Sequence, residues 1–139
     1  MSDFLSRDAL LKRRARRTKV VTISKDHPEP DLAGKKITVR SMTARERGEW
    51  ESQFSDKTGK TRLSRTVEIR ERLVIATVID ETGNALFTED DLAALKEVDA
   101  AILEAIVKAS QELNDISSDD LAALEKNSVT TPSAGPRSK

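Results

Sequence analysis

The stretch DAAILEAIVKASQEL, residues 99–113, decides the fold, because it has the clearest helical period in the chain. Its apolar side chains recur at three- and four-residue spacings, which places them on one face of an amphipathic helix: Ile102, Ala105, Ile106, Ala109 and Leu113. A second candidate helix, residues 62–79, is almost wholly apolar after Leu73. Two helices with this much aliphatic surface predict a core that is mainly α-helical.

Shorter signals place the other elements around these two helices. Residues 19–23 and 36–40 are rich in β-branched side chains and flank a loop with two prolines and a glycine, which predicts a small β-hairpin. Thr43 and Glu46 have the spacing of a capping box, so a helix should begin there. We therefore predict an α+β fold, mainly α with a small N-terminal β-hairpin, as one compact helical domain with a flexible N-terminal arm and C-terminal tail. The predicted boundaries are a basic amphipathic arm at 1–18, the hairpin at 19–41, helices at 43–54, 62–79, 89–96, 99–114 and 118–126, and a disordered tail at 127–139.

Charge is balanced over the chain but not along it. The 24 basic and 24 acidic residues cancel, which argues against a surface devoted wholly to nucleic acid or membrane. Residues 1–72 carry 19 basic and 11 acidic side chains, whereas residues 73–139 carry 5 and 13. Such a chain either pairs its own halves or presents one sign of charge to each of two partners.

The residues that support catalysis or metal binding are missing from the sequence or badly spaced. The chain has no cysteine, and His27, its one histidine, stands alone in a turn without a nucleophile motif. Residues 80–91 have the length of an EF-hand loop, but Ala85 occupies the position of the required glycine and Asp91 that of the bidentate glutamate. We therefore predict no enzyme activity, no catalytic residue, no metal site and no cofactor.

Two sets of aliphatic residues are candidate partner-binding surfaces. Leu5, Leu10 and Leu11 lie in a terminal segment too short to bury them alone. Ile102 and Ile106 lie on a helix with more aliphatic surface than two short strands can cover. We expect the leucines to dock in a partner groove or on the chain itself, and the surface of the helix to contact another protein or another copy of this chain.

The arm is also basic, which leaves a second interpretation open. Clustered arginines neutralise phosphates, so the arm could bind nucleic acid. No aromatic side chain interleaves the cluster to stack on bases, and the acidic second half would repel a nucleic-acid backbone. Protein docking, or docking on the chain's own acidic half, is the favoured role of these arginines: Arg13, Arg14, Arg16 and Arg17.

The order of these features resembles the tail assembly chaperones of long-tailed, siphovirus-like bacteriophages and prophages. The resemblance covers about two thirds of the chain, from Lys36 to Asn127. Four segments carry it: ITVRSMTARER at 37–47, VIDETGNALFTEDD at 78–91, LN at 113–114 and LEKN at 124–127. The arm and the tail fall outside it.

The resemblance implies a non-catalytic function and its partners. Such a protein binds the tape measure protein, keeps its long hydrophobic helices soluble in the host bacterial cytoplasm, and helps to recruit tail tube protein. A holdase of this kind needs accessible aliphatic faces and no reactive group. Two alternatives stay open: a virion structural protein of the tail or connector, and a small DNA-binding regulator that uses the arginine-rich arm.

Overall fold

The computed structural model describes residues 3–54 and 67–129, with side chains as far as Glu125. Within these ranges, six α-helices and a three-stranded antiparallel sheet form a mainly helical α+β fold, which confirms the predicted fold class. No helix in the described ranges is both long and apolar enough to cross a membrane. The elements in chain order are α1 (Arg7–Leu11), β1 (Thr18–Thr22), β2 (Lys36–Arg40), α2 (Ala44–Ser52), α3 (Ile69–Thr77), β3 (Val78–Ile79), a 3-10 turn (Glu89–Asp91), α4 (Leu92–Leu95), α5 (Ala100–Asn114) and α6 (Ser118–Val129).

The sheet has a third strand, Val78–Ile79, where a helix was expected. The strand order is β1-β2-β3, with Thr18 opposite Arg40 and Val39 opposite Val78. Val78 and Ile79 were expected to end the helix at 62–79, and this prediction is wrong. Both residues are β-branched and precede a turn. Pairing with β2 therefore satisfies the hydrogen-bonding groups of their backbone, and the Val78 side chain is buried at 1% exposure.

Other boundaries also differ from the prediction. The helix expected at 62–79 begins at Ile69, and residues 62–66 lie outside the described ranges. The element expected at 89–96 is a 3-10 turn followed by the short helix α4. Helix α6 extends to Val129, so the tail expected from residue 127 is helical for three more residues, and residues 130–139 lie outside the described ranges.

Helix α5 is the centre of the core. It contacts α3 on one side and strands β1 and β2 on the other. Its buried positions are Leu103, Ile106, Val107, Ala109, Ser110 and Asn114. The segment with the predicted helical period is therefore a helix that α3 covers on one side and the sheet covers on the other.

Helix α2 brings the largest side chains into the same core. The Thr43 hydroxyl accepts the Glu46 N–H at 3.2 Å, and the Glu46 carboxylate accepts the Thr43 N–H at 3.0 Å, so the predicted capping box is present. The box fixes the start of the helix that carries Trp50; the helix ends at Ser52, not at residue 54 as expected, and Phe54 follows in the turn. Both side chains are at most 1% exposed. Their rings meet edge to face with centroids 5.4 Å apart, as expected for core residues.

Two buried polar contacts join α5 to its neighbours. The Thr77 hydroxyl donates to the Leu73 carbonyl at 2.8 Å, so the Ser110 hydroxyl is the donor in the 2.8 Å bond between Ser110 and Thr77. At the end of α5, the Asn114 side-chain oxygen accepts the Met42 N–H at 2.6 Å, and its amide nitrogen donates to the Ser110 carbonyl at 3.0 Å. Asn114 therefore ties α5 to the chain between β2 and α2.

We expect Asn114→Ala to lower the free energy of unfolding by about 1–3 kcal/mol, because the Met42 N–H loses its acceptor in a partly buried site. Urea denaturation followed by circular dichroism measures the change. Asn84→Ala, which removes an exposed amide that donates to Thr82, is the matched control and should change stability by less than about 0.5 kcal/mol. Equal losses in the two variants would contradict the role of Asn114.

Candidate functional site

An apolar groove of about 530 Å³ lies between α5, the β1–β2 hairpin and the segment 87–98. Its aliphatic and aromatic lining comes from all three: Ile23, Leu32 and Ile37 from the hairpin, Phe87, Leu95 and Val98 from the segment 87–98, and Ile102, Leu103 and Ile106 from α5. A cleft of this size and lining suits an apolar side-chain cluster on a partner.

Ile102 and Ile106, the two predicted partner-binding residues of α5, both line this groove but differ in exposure. Ile102 is half-buried and packs against the edge of the core. Ile106 is 4% exposed and belongs to the core itself. Ile106 was expected on an exposed partner-binding face, and this expectation is corrected. Neighbouring elements cover the face of α5 that carries Ile106, so it lines the groove as a buried core residue.

The rim of the groove is acidic. Glu29, Glu97 and Asp99 line it, and none of the described residues that line it is a lysine or arginine. The Nδ1 atom of His27 accepts the Glu29 N–H at 3.1 Å, so its Nε2 atom carries a proton and faces the Asp99 carboxylate at 3.4 Å. The other Asp99 oxygen accepts the Ala101 N–H and caps α5. His27 thus links the hairpin loop to the start of α5.

Ion pairs hold the segment 87–98 against α3. The Arg72 guanidinium is almost fully buried and bonds Glu68, the N-cap residue of its helix, at 2.9 Å. It also bonds Glu89, 2.9 Å away, and the Gln53 side chain, 3.0 Å away. Lys96 donates to the second oxygen of Glu68. These contacts attach both ends of α4, and with them the groove residue Leu95, to the core.

Glu68 is the shared acceptor of this network. Burial raises the pKa of Glu68, but hydrogen bonds from Lys96 and Arg72 outweigh that effect and leave the pKa below its ordinary value of 4.5. Sequence reasoning missed this network. The signal was available, because Arg72 directly precedes the apolar run of α3 and a buried arginine requires acidic partners.

The predicted leucines of the arm are exposed. Leu5, Leu10 and Leu11 are 66%, 65% and 62% exposed. The Ser6 hydroxyl accepts the Ala9 N–H at 3.1 Å and caps α1. A partner for these leucines stays a prediction.

The four predicted arginines of the arm do not act alike. Arg13, Arg14 and Arg17 are exposed, and Arg14 donates to the Ala9 carbonyl at 2.8 Å. Arg16 is half-buried, donates to the Ser41 carbonyl at 2.6 Å and pairs with Glu46. Arg16 therefore anchors the arm to the start of α2 and is unavailable as a free phosphate-binding group.

Two other places have features of a site but lack the chemistry for one. A depression of about 580 Å³ lies on the outer side of α5 and the turn to α6, but charged, polar and small side chains dominate its lining. In the turn at 80–84, one Asp80 oxygen accepts the backbone N–H groups of Thr82 and Asn84. The described residues contain no group of three or more side chains suited to a metal ion.

Comparison with known proteins identifies a shared fold. No protein-family model matches the chain, and no curated protein sequence matches it significantly. Among solved structures, the chain is similar to the tail assembly chaperone of bacteriophage HK97, with a TM-score of 0.52 and 17% sequence identity over 79% of this chain and 92% of that one. The chain therefore has the fold of a tail assembly chaperone, the family that its sequence resembles.

We expect Glu68→Gln to lower the free energy of unfolding at neutral pH by about 1–3 kcal/mol, because the amide keeps one acceptor oxygen and therefore loses the bonds from either Lys96 or Arg72. Since the folded pKa of Glu68 is lowered, its contribution is complete above the unfolded value of 4.5 and is lost as the pH falls through the folded value. The difference from wild type should shrink below pH 4.5.

Urea denaturation at a series of pH values measures this difference. Glu49→Gln removes a charge from an exposed glutamate and is the matched control, with little expected effect. A stability difference for Glu68→Gln that stays constant into acid would contradict the assignment.

Proposed function

We propose that this protein is a tail assembly chaperone, which binds the tape measure protein and keeps it soluble while the tail tube assembles. The observation that carries the proposal is an apolar groove, open to solvent, on a fold shared with a phage tail assembly chaperone. The sequence resemblance from Lys36 to Asn127 supports it independently of the groove.

The chemistry of the groove suits a helical client. An amphipathic helix recognised in a groove inserts side chains spaced three and four residues apart. Each fully buried aliphatic side chain contributes about 1.5–3 kcal/mol, and ordering of the two proteins offsets part of that gain. Two or three inserted side chains therefore give reversible binding, as a chaperone that leaves before the particle is finished requires.

The proposed role is non-catalytic and belongs to the host bacterial cytoplasm, where tails assemble. A holdase acts by covering apolar surface that would otherwise aggregate. The charged groups around the groove then orient the client or hold the groove in shape. Recruitment of tail tube protein is part of the same proposal.

We expect Ile102→Asp to weaken client binding at least about tenfold, which corresponds to 1.4 kcal/mol, because it places a charge in the apolar lining. The measurement is the soluble fraction of the tape measure protein when it is co-expressed with this chain, followed by co-purification. Val67→Asp, at a residue that is 77% exposed and outside the groove, is the matched control and should behave as wild type.

A second variant distinguishes a loss of binding from a loss of folding. Val98 is 37% exposed at the groove rim, so Val98→Asp should leave the circular dichroism spectrum unchanged and still weaken binding. Full client solubility with a folded Val98→Asp protein would contradict the groove as the binding surface. Recovery of the chain at stoichiometric amounts in finished particles would contradict the chaperone function and favour a structural tail protein.

A further inference from the structure

The apolar groove continues into a neighbouring cavity along the first half of α5. This second cavity, of about 210 Å³, lies between β1 and α5, where Val21, Ala101 and Ala105 line it. Four lining residues are common to the groove and the second cavity: Ile23, His27, Asp99 and Ile102. The two together form one cleft, which admits several side chains from one face of a partner helix.

The charged side chains at the rim of this cleft are acidic. Among the residues described, neither cavity is lined by a lysine or an arginine. The charge of Asp99 is partly offset, because its carboxylate accepts the Ala101 N–H and faces His27. The exposed carboxylates of Glu29 and Glu97 have no hydrogen-bond or ion-pair partner in the part of the chain that the structure describes. Two unpaired negative charges therefore remain at the rim.

One wall of the groove adds to this negative charge. Residues 87–99 carry five acidic side chains and one basic side chain. The basic side chain, Lys96, is already bonded to Glu68. An acidic segment beside an apolar cleft attracts a cationic partner and repels an anionic one.

The N-terminal arm of this chain is itself cationic and aliphatic, but it lies outside the cleft. No described residue of the arm lines either cavity. Leu10 and Leu11 are more than 60% exposed, and Arg16 holds the arm at Ser41 and Glu46. The cleft is therefore open to a separate partner.

We propose that the groove selects a cationic amphipathic helix of the client, in which lysines or arginines flank the apolar side chains that enter the groove. The flanking cations lie beside Glu29 and Glu97, and a helix with acidic flanks is repelled. The inference rests on the groove being the client-binding surface proposed above, and it names the chemistry of the bound segment.

The test uses two labelled synthetic peptides of about 15 residues, long enough to form a helix. Both carry leucines at three- and four-residue spacings on a background of alanine and glutamine, and the flanking positions are all lysine in one and all glutamate in the other. Fluorescence anisotropy measures their binding to the full-length protein. We expect the lysine peptide to bind about tenfold more tightly at low ionic strength, a preference that about 1 M salt should abolish.

Charge reversal at the rim identifies the groups responsible. Glu29→Lys combined with Glu97→Lys should reverse the preference in favour of the glutamate peptide, and both positions are exposed, so folding is preserved. Glu49→Lys combined with Glu81→Lys makes the same charge change at exposed positions outside the cleft and is the matched control. It should keep the preference for lysine. An unchanged preference in the rim variant overturns the proposal.

Two single variants separate this inference from the proposed function. Val98→Gln at the groove rim should weaken the binding of both peptides, whereas Leu10→Asp in the exposed arm should change neither. Equal binding of the two peptides in the groove overturns the charge selection alone. Binding that Val98→Gln does not weaken, or no binding of either peptide, contradicts the groove as the client surface as well. Tighter binding by Leu10→Asp would make the arm the occupant of the groove and overturn its assignment to a partner.

Discussion

Helix α5 must be covered on two sides, and the rest of the structure follows from that constraint. Its buried residues face both α3 and the sheet, and each fully buried aliphatic side chain contributes about 1.5–3 kcal/mol to stability. Strand β3 continues directly from α3, so one short segment of chain joins the two covering layers. The groove lies where this cover ends, and Ile102 is half-buried there.

Features set by nearby residues could be predicted from the sequence, and features set by distant ones could not. The capping box at Thr43 and the period of α5 are local, and both are present in the structure. Strand β3 depends on Val78 meeting Val39, which is far away in the chain, so its apolar residues were assigned to a helix. The spacing of Ile102 and Ile106 placed both on one face, but only the position of the sheet decides which of them is covered.

The candidate site shows the same division. The aliphatic character of α5 and the exposed leucines of the arm were evident from the sequence. The opposite wall, with Phe87 and Leu95, was not, because α4 is a short element held in place by Arg72, Glu68 and Glu89 across three parts of the chain. A groove whose walls come from separate segments is a property of the fold.

The bond between Thr77 and Ser110 has a consequence for how α3 and α5 fit together. Aliphatic helix faces tolerate small sliding movements, since one methyl contact replaces another at little cost. Two buried hydroxyls are satisfied in a single axial register, and a shift of one helical turn would leave both without their mutual bond. This pair therefore specifies one alignment of the two helices in a core otherwise made of nearly interchangeable aliphatic side chains.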